Sequence, residues 1–366
     1  MSIIERRLDR ADLLKAGAAG ALGLTFAGPA LASARRSKGA TLNMLTWSDH
    51  YANDQLKAVS GATGIQGRPT LFSDNADAYL KVKQTGGQFD IVSGDALWVP
   101  KYNHDGLTVS FDLSSLPVSK QLYPIARQFP FWQDGSNYMG YPFSWSTVQI
   151  YYNPKYVKVK PDSWHAILDK KYSGKISLEN IPTDMMAIAA RATGGKKPYA
   201  MTKAEISRAK EWLKALKPNV LKLASQNNEV VRALADGSAW IGITNLGTDD
   251  RVKDAGGPVV LKANPKEGTI GFIDSEQIVK ASAHQSSFEK FENAMQQAPW
   301  IAKNFITNGR PLFNEQSFKI LVNQGHGDRA RRQYYNKPEN ALKMTIKGPA
   351  GDEQAYVDAF NEVFGA

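Results

Sequence analysis

The sequence contains no cysteine. Disulfide bonds, thiolate nucleophiles and cysteine metal sites are therefore excluded. We also expect no lipid anchor, because the lipid that tethers many exported bacterial proteins is attached to a cysteine. After the first 34 residues, no run of 18 consecutive apolar residues occurs, so no transmembrane helix is expected.

Recognisable catalytic motifs are also absent. The chain has no G-x-S-x-G elbow, no H-E-x-x-H zinc helix and no Walker loop. Its five histidines are scattered without metal-ligand spacing, and we expect them at the surface or at helix caps: His50, His104, His165, His284 and His326. The sequence therefore predicts a protein that is not an enzyme and that holds no metal or cofactor. A secreted carbohydrate-active enzyme that uses unpaired acids is the remaining catalytic alternative.

Positive charge is in excess, with a formal net charge of +10. The first 34 residues carry four basic and three acidic side chains, or +1, which leaves 10 − 1 = +9 for the rest. Lysine and arginine are dispersed in short runs such as Arg329 to Arg332, and dispersed charge forms no stripe along which nucleic acid could bind. We expect a solvated surface, a monomer and no nucleic-acid partner.

The first 34 residues read as an export signal. Arg6, Arg7 and Arg10 give a basic start, and Ala16 to Ala27 forms an apolar run. The segment Ala30 to Ala34 fits an A-x-A cleavage pattern twice. We expect cleavage near Ala32 or Ala34 and a periplasmic location. The sequence leaves open whether export follows the Sec or the twin-arginine route.

Short strand-like segments alternate with amphipathic helices over the remaining chain, which predicts an α/β fold. Thr41 to Trp47 alternates apolar and polar residues, and Thr202 with Glu205 forms a capping box. A Gly-, Pro- and aromatic-rich stretch from Tyr138 leads directly into a strand at Val148, which predicts a crossing between two lobes. We assign residues 35–146 and 272–366 to lobe 1 and residues 147–271 to lobe 2, and the C-terminal part could pack on both lobes.

Six segments in order carry a resemblance: LNMLTWSDHY, FDIVSGDALWVPKY, GYPFSWSTVQIYYN, PDSWHAILDKKYSGKISL, PKEGTIGFIDSEQIV and SFEKFENAMQQAPWIAKN. Together they resemble the periplasmic spermidine/putrescine-binding proteins of bacterial ABC importers. The resemblance implies a type II periplasmic-binding-protein fold, in which two lobes joined by two crossover strands enclose a cleft. It also implies capture of a small amine-bearing solute and docking on a membrane permease. The wider family serves polyamines, γ-aminobutyrate and opines, so the resemblance leaves the ligand open.

An ammonium ligand needs a carboxylate to replace its lost water and gains from an aromatic face. Aromatic candidates are Trp47, Tyr51, Trp98, Trp145 and Phe272; Phe272 stands where the family usually has Trp. Acidic and polar candidates are Asp49, Asp95, Asp184, Asn245 and Asp274, of which Asp184 and Asp274 match acidic ligand contacts of the family. Three alternatives stay open: Asp49 could cap the next helix, Trp98 could be core, and Asp274 could form a structural ion pair.

Arg310 stands where the family offers a tyrosine. A guanidinium binds carboxylates in a bidentate manner. One hypothesis is therefore a zwitterionic ligand, such as an ω-amino acid or an opine, with its carboxylate on Arg310 and its amine on Asp274 or Asp184. The alternative is that Arg310 pairs with a carboxylate of the protein or faces solvent.

Overall fold

A computed structural model describes residues 39–365. The predicted export signal lies outside these residues. The strands are β1 Thr41–Thr46, β2 Gln66–Leu71, β3 Ile91–Asp95, β4 Thr108–Val109, β5 Gln133–Asp134, β6 Asn137–Tyr138, β7 Tyr141–Tyr152, β8 Ile176–Glu179, β9 Val220–Ala224, β10 Ile241–Asn245, β11 Leu261–Ala263, β12 Ile270–Val279 and β13 Thr345–Ile346.

The α-helices are α1 Asn53–Thr63, α2 Asn75–Thr85, α3 Trp98–His104, α4 Pro182–Ala192, α5 Lys203–Leu216, α6 Asn227–Ala235, α7 Thr248–Asp254, α8 Gln285–Met295, α9 Ala298–Asn308, α10 Glu315–Asn323, α11 Gly327–Arg332 and α12 Glu353–Phe364. Short 3₁₀ turns, such as Pro117–Gln121 and Trp164–Leu168, fill several connections. No helix in the described part of the chain is long and apolar enough to span a bilayer.

The main sheet has the strand order β2-β1-β3-β12-β7-β10-β8-β9. We call β2, β1, β3 and β12 the first half-sheet, and β10, β8 and β9 the second half-sheet. In the first, β1 is parallel to β2 and β3; in the second, β8 is parallel to β9 and β10. The long strand β7 joins them, because residues 141–147 pair with β12 whereas residues 148–152 pair with β10.

Each half-sheet has its own hydrophobic core. Trp145, Phe288 and Phe291 belong to the core of the first half-sheet, whereas Trp212 and Tyr356 belong to that of the second. Helix α12 packs against α4 and α5, and so covers the second half-sheet. The α/β architecture is as predicted, while the lobe boundaries given above stay a prediction.

Local signals in the sequence mark several element ends correctly. The Thr202–Glu205 capping box is present in both directions at the start of α5, where it satisfies helix N–H groups that would otherwise lack partners. Strand β2 was not predicted. Its residues lie mostly exposed at the sheet edge and include Pro69, so the alternation that marks a half-buried strand is missing.

Candidate functional site

The carboxyl ends of parallel strands from both half-sheets open into one cleft. Crevices at this end of α/β sheets are the usual ligand sites. The residues that line the cleft are Trp47, Ser48, Asp49, Ser73, Asp95, Glu179, Ile181, Ser225, Gln226, Asn227, Asn245, Phe272, Asp274, Arg310 and Lys347.

Seven of the predicted site residues lie in this cleft: Trp47, Asp49, Asp95, Asn245, Phe272, Asp274 and Arg310. Asp184 and Trp98 line a smaller adjoining cavity that shares Trp47, Asp95 and Lys347 with the cleft. Trp98 is also part of a hydrophobic core, with 7% of its surface exposed. The structure therefore brings nine of the eleven predicted residues to the cleft or to its immediate extension.

Two predicted aromatic residues lie elsewhere. Trp145 is 1% exposed and packs in the core of the first half-sheet. Side chains alternate across a strand, and Ser144, its neighbour on β7, is the residue that reaches the cleft acid Asp274. Tyr51 faces a separate groove, which it lines together with Trp300 and Lys303.

Arg310 forms an ion pair with Asp49, with 2.6 Å between Nη1 and Oδ2. Burial raises the pKa of Asp49, but the nearby cations Arg310, His50 and Arg251 together outweigh burial and hold this pKa below its usual value. Helix α1 begins after Ala52 without a side-chain cap, so Asp49 does not cap it. The Nε and Nη2 atoms of Arg310 are buried and have no hydrogen-bond partner within the described residues. These two donors of Arg310 therefore make no hydrogen bond, although Nη2 lies 3.8 Å from Asp274 Oδ2 in a second, longer ion pair.

Asp274 is 2% exposed and is already engaged by the protein. Ser144 Oγ donates to its Oδ2 at 2.7 Å, and His50 Nε2 lies 3.1 Å from the same oxygen. The other ring nitrogen of His50 lies 2.7 Å from Glu276 Oε1. Asp274 thus belongs to a structural ion pair with His50, and Arg310 Nη2 lies 3.8 Å from the same oxygen.

His50 was expected at the surface or at a helix cap, and this prediction was wrong, because His50 is completely buried. Burial lowers the pKa of the imidazole, but the carboxylates of Asp274 and Glu276 outweigh burial and raise this pKa to about 9. His50 is therefore a cation at neutral pH. Sequence reasoning missed it because its two partners lie more than 220 positions away.

Asp184, in the first turn of α4, is bound by two groups of the protein. Lys347 Nζ forms an ion pair with its Oδ2, and Tyr199 donates a hydrogen bond to its Oδ1 at 2.9 Å. Lys347 Nζ also lies 5.2 Å from the centre of the Phe272 ring. Burial lowers the pKa of Lys347, but Asp184 and Asp95 outweigh burial and raise it. No motif marked Lys347, because the pairing depends on how distant segments pack.

Asp95 and Glu179 are the cleft acids that have no ion-pair partner within residues 39–365. Asp95 is 3% exposed, and its Oδ1 is buried without a hydrogen-bond partner. Burial raises the pKa of Asp95 to about 8. Burial likewise raises the pKa of Glu179, which accepts a hydrogen bond from Thr244 Oγ1 at 2.6 Å. Asp95 ends β3 and Glu179 ends β8, so each half-sheet supplies one unpaired acid.

The described residues form no cluster of possible metal ligands. Within the described residues, no group of three or more histidines or acids has the geometry to hold a metal ion. The cleft instead offers unpaired carboxyl groups, two cations and polar side chains. Its chemistry suits a small organic ion that carries an ammonium.

Residues 60–302 match the family of bacterial extracellular solute-binding proteins. The chain belongs to this family. It is 26% identical over 298 residues to the putrescine-binding periplasmic protein SpuD of Pseudomonas aeruginosa, and the matched region covers 77% of this chain and 80% of SpuD. It is 29% identical over 252 residues to the putrescine-binding periplasmic protein PotF of Escherichia coli, and the matched region covers 64% of this chain and 67% of PotF.

Solved structures of other proteins share the fold of this chain. A putative spermidine/putrescine ABC transporter protein from Listeria monocytogenes superposes with a TM-score of 0.79 at 22% identity, over 89% of this chain and 99% of the other. The periplasmic binding protein MotA of Agrobacterium tumefaciens, solved with glucopine, gives 0.66 at 19% identity, over 89% and 99%. The predicted two-lobed α/β fold of the periplasmic binding proteins is confirmed.

Proposed function

We propose that this chain is the substrate-binding component of an ABC importer and that it captures a small amine-bearing solute. Membership of the solute-binding family and the names of the curated relatives support this assignment. We further propose that residues 1–34 direct export and are removed, and that the mature protein acts in the periplasm as a monomer. Its task is then binding and delivery to a membrane permease, without catalysis.

The observation that carries the proposal is the pair of cleft acids without a cation, Asp95 and Glu179. A buried carboxyl group that has no partner is costly, and protein structures rarely keep one without a reason. A solute ammonium would supply the missing charge and hydrogen bonds, and a charge-assisted hydrogen bond of this kind contributes roughly 1.5–3 kcal/mol. Trp47 adds an aromatic wall to the same space.

Capture would proceed by hinge closure. The chain crosses between the two half-sheets along β7 and returns in the segment that leads from β11 into β12. Phe272 on β12 pairs with Ser146 just before β7 changes partners. A solute docked on Asp95 would draw Glu179 toward it from the other half-sheet. Only contacts that exist in the closed state favour closure, so these two acids together would select the ligand.

A thermal-shift panel of the wild-type protein tests this function. Amines, ω-amino acids and opines form one set, and sugars and oligonucleotides form the other. At about 100 times its dissociation constant, a ligand adds about 2.7 kcal/mol to the stability, which raises the melting temperature by several degrees. We expect such a shift from at least one amine and none from the second set. A shift with sugars alone would favour the carbohydrate-active alternative and contradict the proposal.

The role of Asp95 is tested with the variant Asp95→Asn, which keeps the size of the side chain but removes its charge. We expect the affinity for the amine, measured by titration calorimetry at pH 8, to fall roughly 10- to 100-fold, because one charge-assisted hydrogen bond is lost. Asp358→Asn, at an exposed position of α12, serves as the control and should leave the affinity unchanged. Equal losses in both variants would argue against a role for Asp95.

A zwitterionic solute is the second candidate, and the Nε and Nη2 donors of Arg310, which make no hydrogen bond within the described residues, favour it. A ligand carboxylate would accept from them while Asp49 stays paired. Arg310→Gln alone would leave Asp49 buried without its cation, so the informative variant is the double change Asp49→Asn with Arg310→Gln. We expect this double variant to lose at least tenfold in affinity for γ-aminobutyrate but to keep its affinity for butylamine. Equal affinities for γ-aminobutyrate in variant and wild type would exclude Arg310 as the carboxylate site.

A further inference from the structure

The side chain of Lys347 lies in surroundings that resemble an ammonium site. Its Nζ is paired with the Asp184 carboxylate and lies 5.2 Å from the centre of the Phe272 ring. A carboxylate and an aromatic face are the two components that bind an ammonium in a protein cavity. Asp184 and Phe272 are also two of the residues that the sequence predicted for the amine of the solute.

The protein holds Lys347 in this position through its backbone. Lys347 N donates to Gly271 O at 2.8 Å, and Leu97 N donates to Lys347 O at 3.2 Å. The main chain of Lys347 is therefore fixed to β12 and to the loop after β3. From there the side chain reaches Asp184 on α4, across the gap between the half-sheets, and only 9% of the residue is exposed.

The carboxylate of Asp184 is held in place as well. Tyr199 donates a hydrogen bond to the second oxygen of Asp184, so both carboxylate oxygens are occupied by the protein. A solute ammonium could reach Asp184 only by displacing the ammonium of Lys347. Such an exchange gains no binding free energy, because one ammonium replaces another.

We infer that Lys347 permanently occupies one ammonium subsite of the cleft, so that the cleft accepts solutes with one ammonium and excludes linear diamines and polyamines. The inference rests on the proposed function and specifies its substrate class. It makes Lys347 a specificity-determining residue, which acts by filling a subsite.

The positions of the other charges agree with this inference. The charge of Lys347 acts on both unpaired acids, because it opposes the rise in the pKa of Asp95 and of Glu179. All three side chains line the same cleft. One solute ammonium can bind between the two acids, but a second one would meet the positive charge of Lys347 or of Arg310, and Arg310 Cζ lies 6.0 Å from the centre of the same Phe272 ring.

Titration calorimetry with putrescine, butylamine and γ-aminobutyrate tests the inference. The three compounds share a four-carbon chain and differ in the group at the second end. We expect wild-type protein to bind butylamine or γ-aminobutyrate at least tenfold more tightly than putrescine. Equal or tighter binding of putrescine by the wild type would overturn the inference, and this arm needs no variant to fold.

The variant arm uses Lys347→Met, which keeps an apolar stem and frees Asp184. We expect its affinity for putrescine to rise at least tenfold, with no comparable gain for butylamine. Lys347→Arg retains a cation and should continue to exclude putrescine. The double variant Asp184→Asn with Lys347→Met should not gain putrescine binding, because the freed acid is gone. An unchanged preference in a folded Lys347→Met protein would contradict the inference.

The outcomes separate this inference from the function on which it rests. If the wild type prefers putrescine, the protein is still an amine-binding protein, and only the role of Lys347 falls. If neither the wild type nor any variant binds an amine, an ω-amino acid or an opine, the proposed function fails and this inference fails with it.

Discussion

Replacing His50 with glutamine is expected to lower the free energy of unfolding at pH 7 by roughly 3–5 kcal/mol, which is the usual cost of removing one partner of a buried ion pair. The variant leaves Asp274 and Glu276 buried on the same strand without the cation between them. Equilibrium urea unfolding measures the difference. A loss below about 1 kcal/mol, the range of exposed ion pairs, would contradict the structural role of this histidine.

The control is the double variant His50→Gln with Glu276→Gln. It removes one acid together with the cation, so Asp274 keeps its hydrogen bond from Ser144 and no longer faces a second carboxylate. Removing the acid together with the cation avoids leaving that acid buried without a partner. We therefore expect the double variant to be more stable than His50→Gln alone, and a further loss in the double variant would contradict the explanation.

The same histidine gives the wild type a defined dependence on pH. The pKa of His50 is about 9 in the folded protein, against an ordinary value of 6.5. Because the folded state binds the proton more tightly, this stabilisation is complete below pH 6.5 and is lost as the pH rises through 9. Urea unfolding at pH 6 and pH 9 should show the advantage of the wild type over the double variant shrinking by roughly 3 kcal/mol, because a tenfold difference in proton affinity corresponds to about 1.36 kcal/mol.

The sequence predicted the parts of the fold that depend on local patterns. Strand β1 was predicted from its alternation, and the start of α5 was predicted from its capping box. Strand β2 was missed because its place in the sheet is set by pairing with β1 and not by its own side chains. Local patterns therefore identified the well-buried elements better than the exposed edge of the sheet.

The candidate site shows a similar division. Asp95 and Asp274 were among the acidic candidates, and Asp274 was chosen because it matches an acidic ligand contact of the family that the sequence resembles. What the sequence could not provide was which acids are already paired. The partners of Asp184, Asp49 and Asp274 lie 163, 261 and 224 positions away, and only folding brings them together. The sequence placed the solute amine on Asp274 or Asp184, whereas the structure leaves Asp95 and Glu179 free to bind it.

The unpaired state of Asp95 also leads to a prediction about affinity. In the ligand-free cleft the pKa of Asp95 is about 8, raised by burial, so at neutral pH this carboxyl group is mostly protonated. An ammonium binds the carboxylate form, and its charge lowers the pKa of the acid. Binding must therefore release the proton. The affinity for an amine should then rise about tenfold per pH unit from pH 6 and level off above pH 8, a total of roughly 100-fold.

Titration calorimetry across this range measures the slope directly. At pH 7, titrations in phosphate and in Tris, whose ionisation enthalpies differ, should show close to one proton released for each solute bound. Glu179→Gln tests whether the second acid contributes, because this variant retains Asp95 and should keep most of the slope. Asp95→Asn should abolish the slope between pH 6 and pH 8, since its amide carries no proton to exchange. An affinity of the wild type that stays constant over this range would mean that the solute ammonium binds away from Asp95.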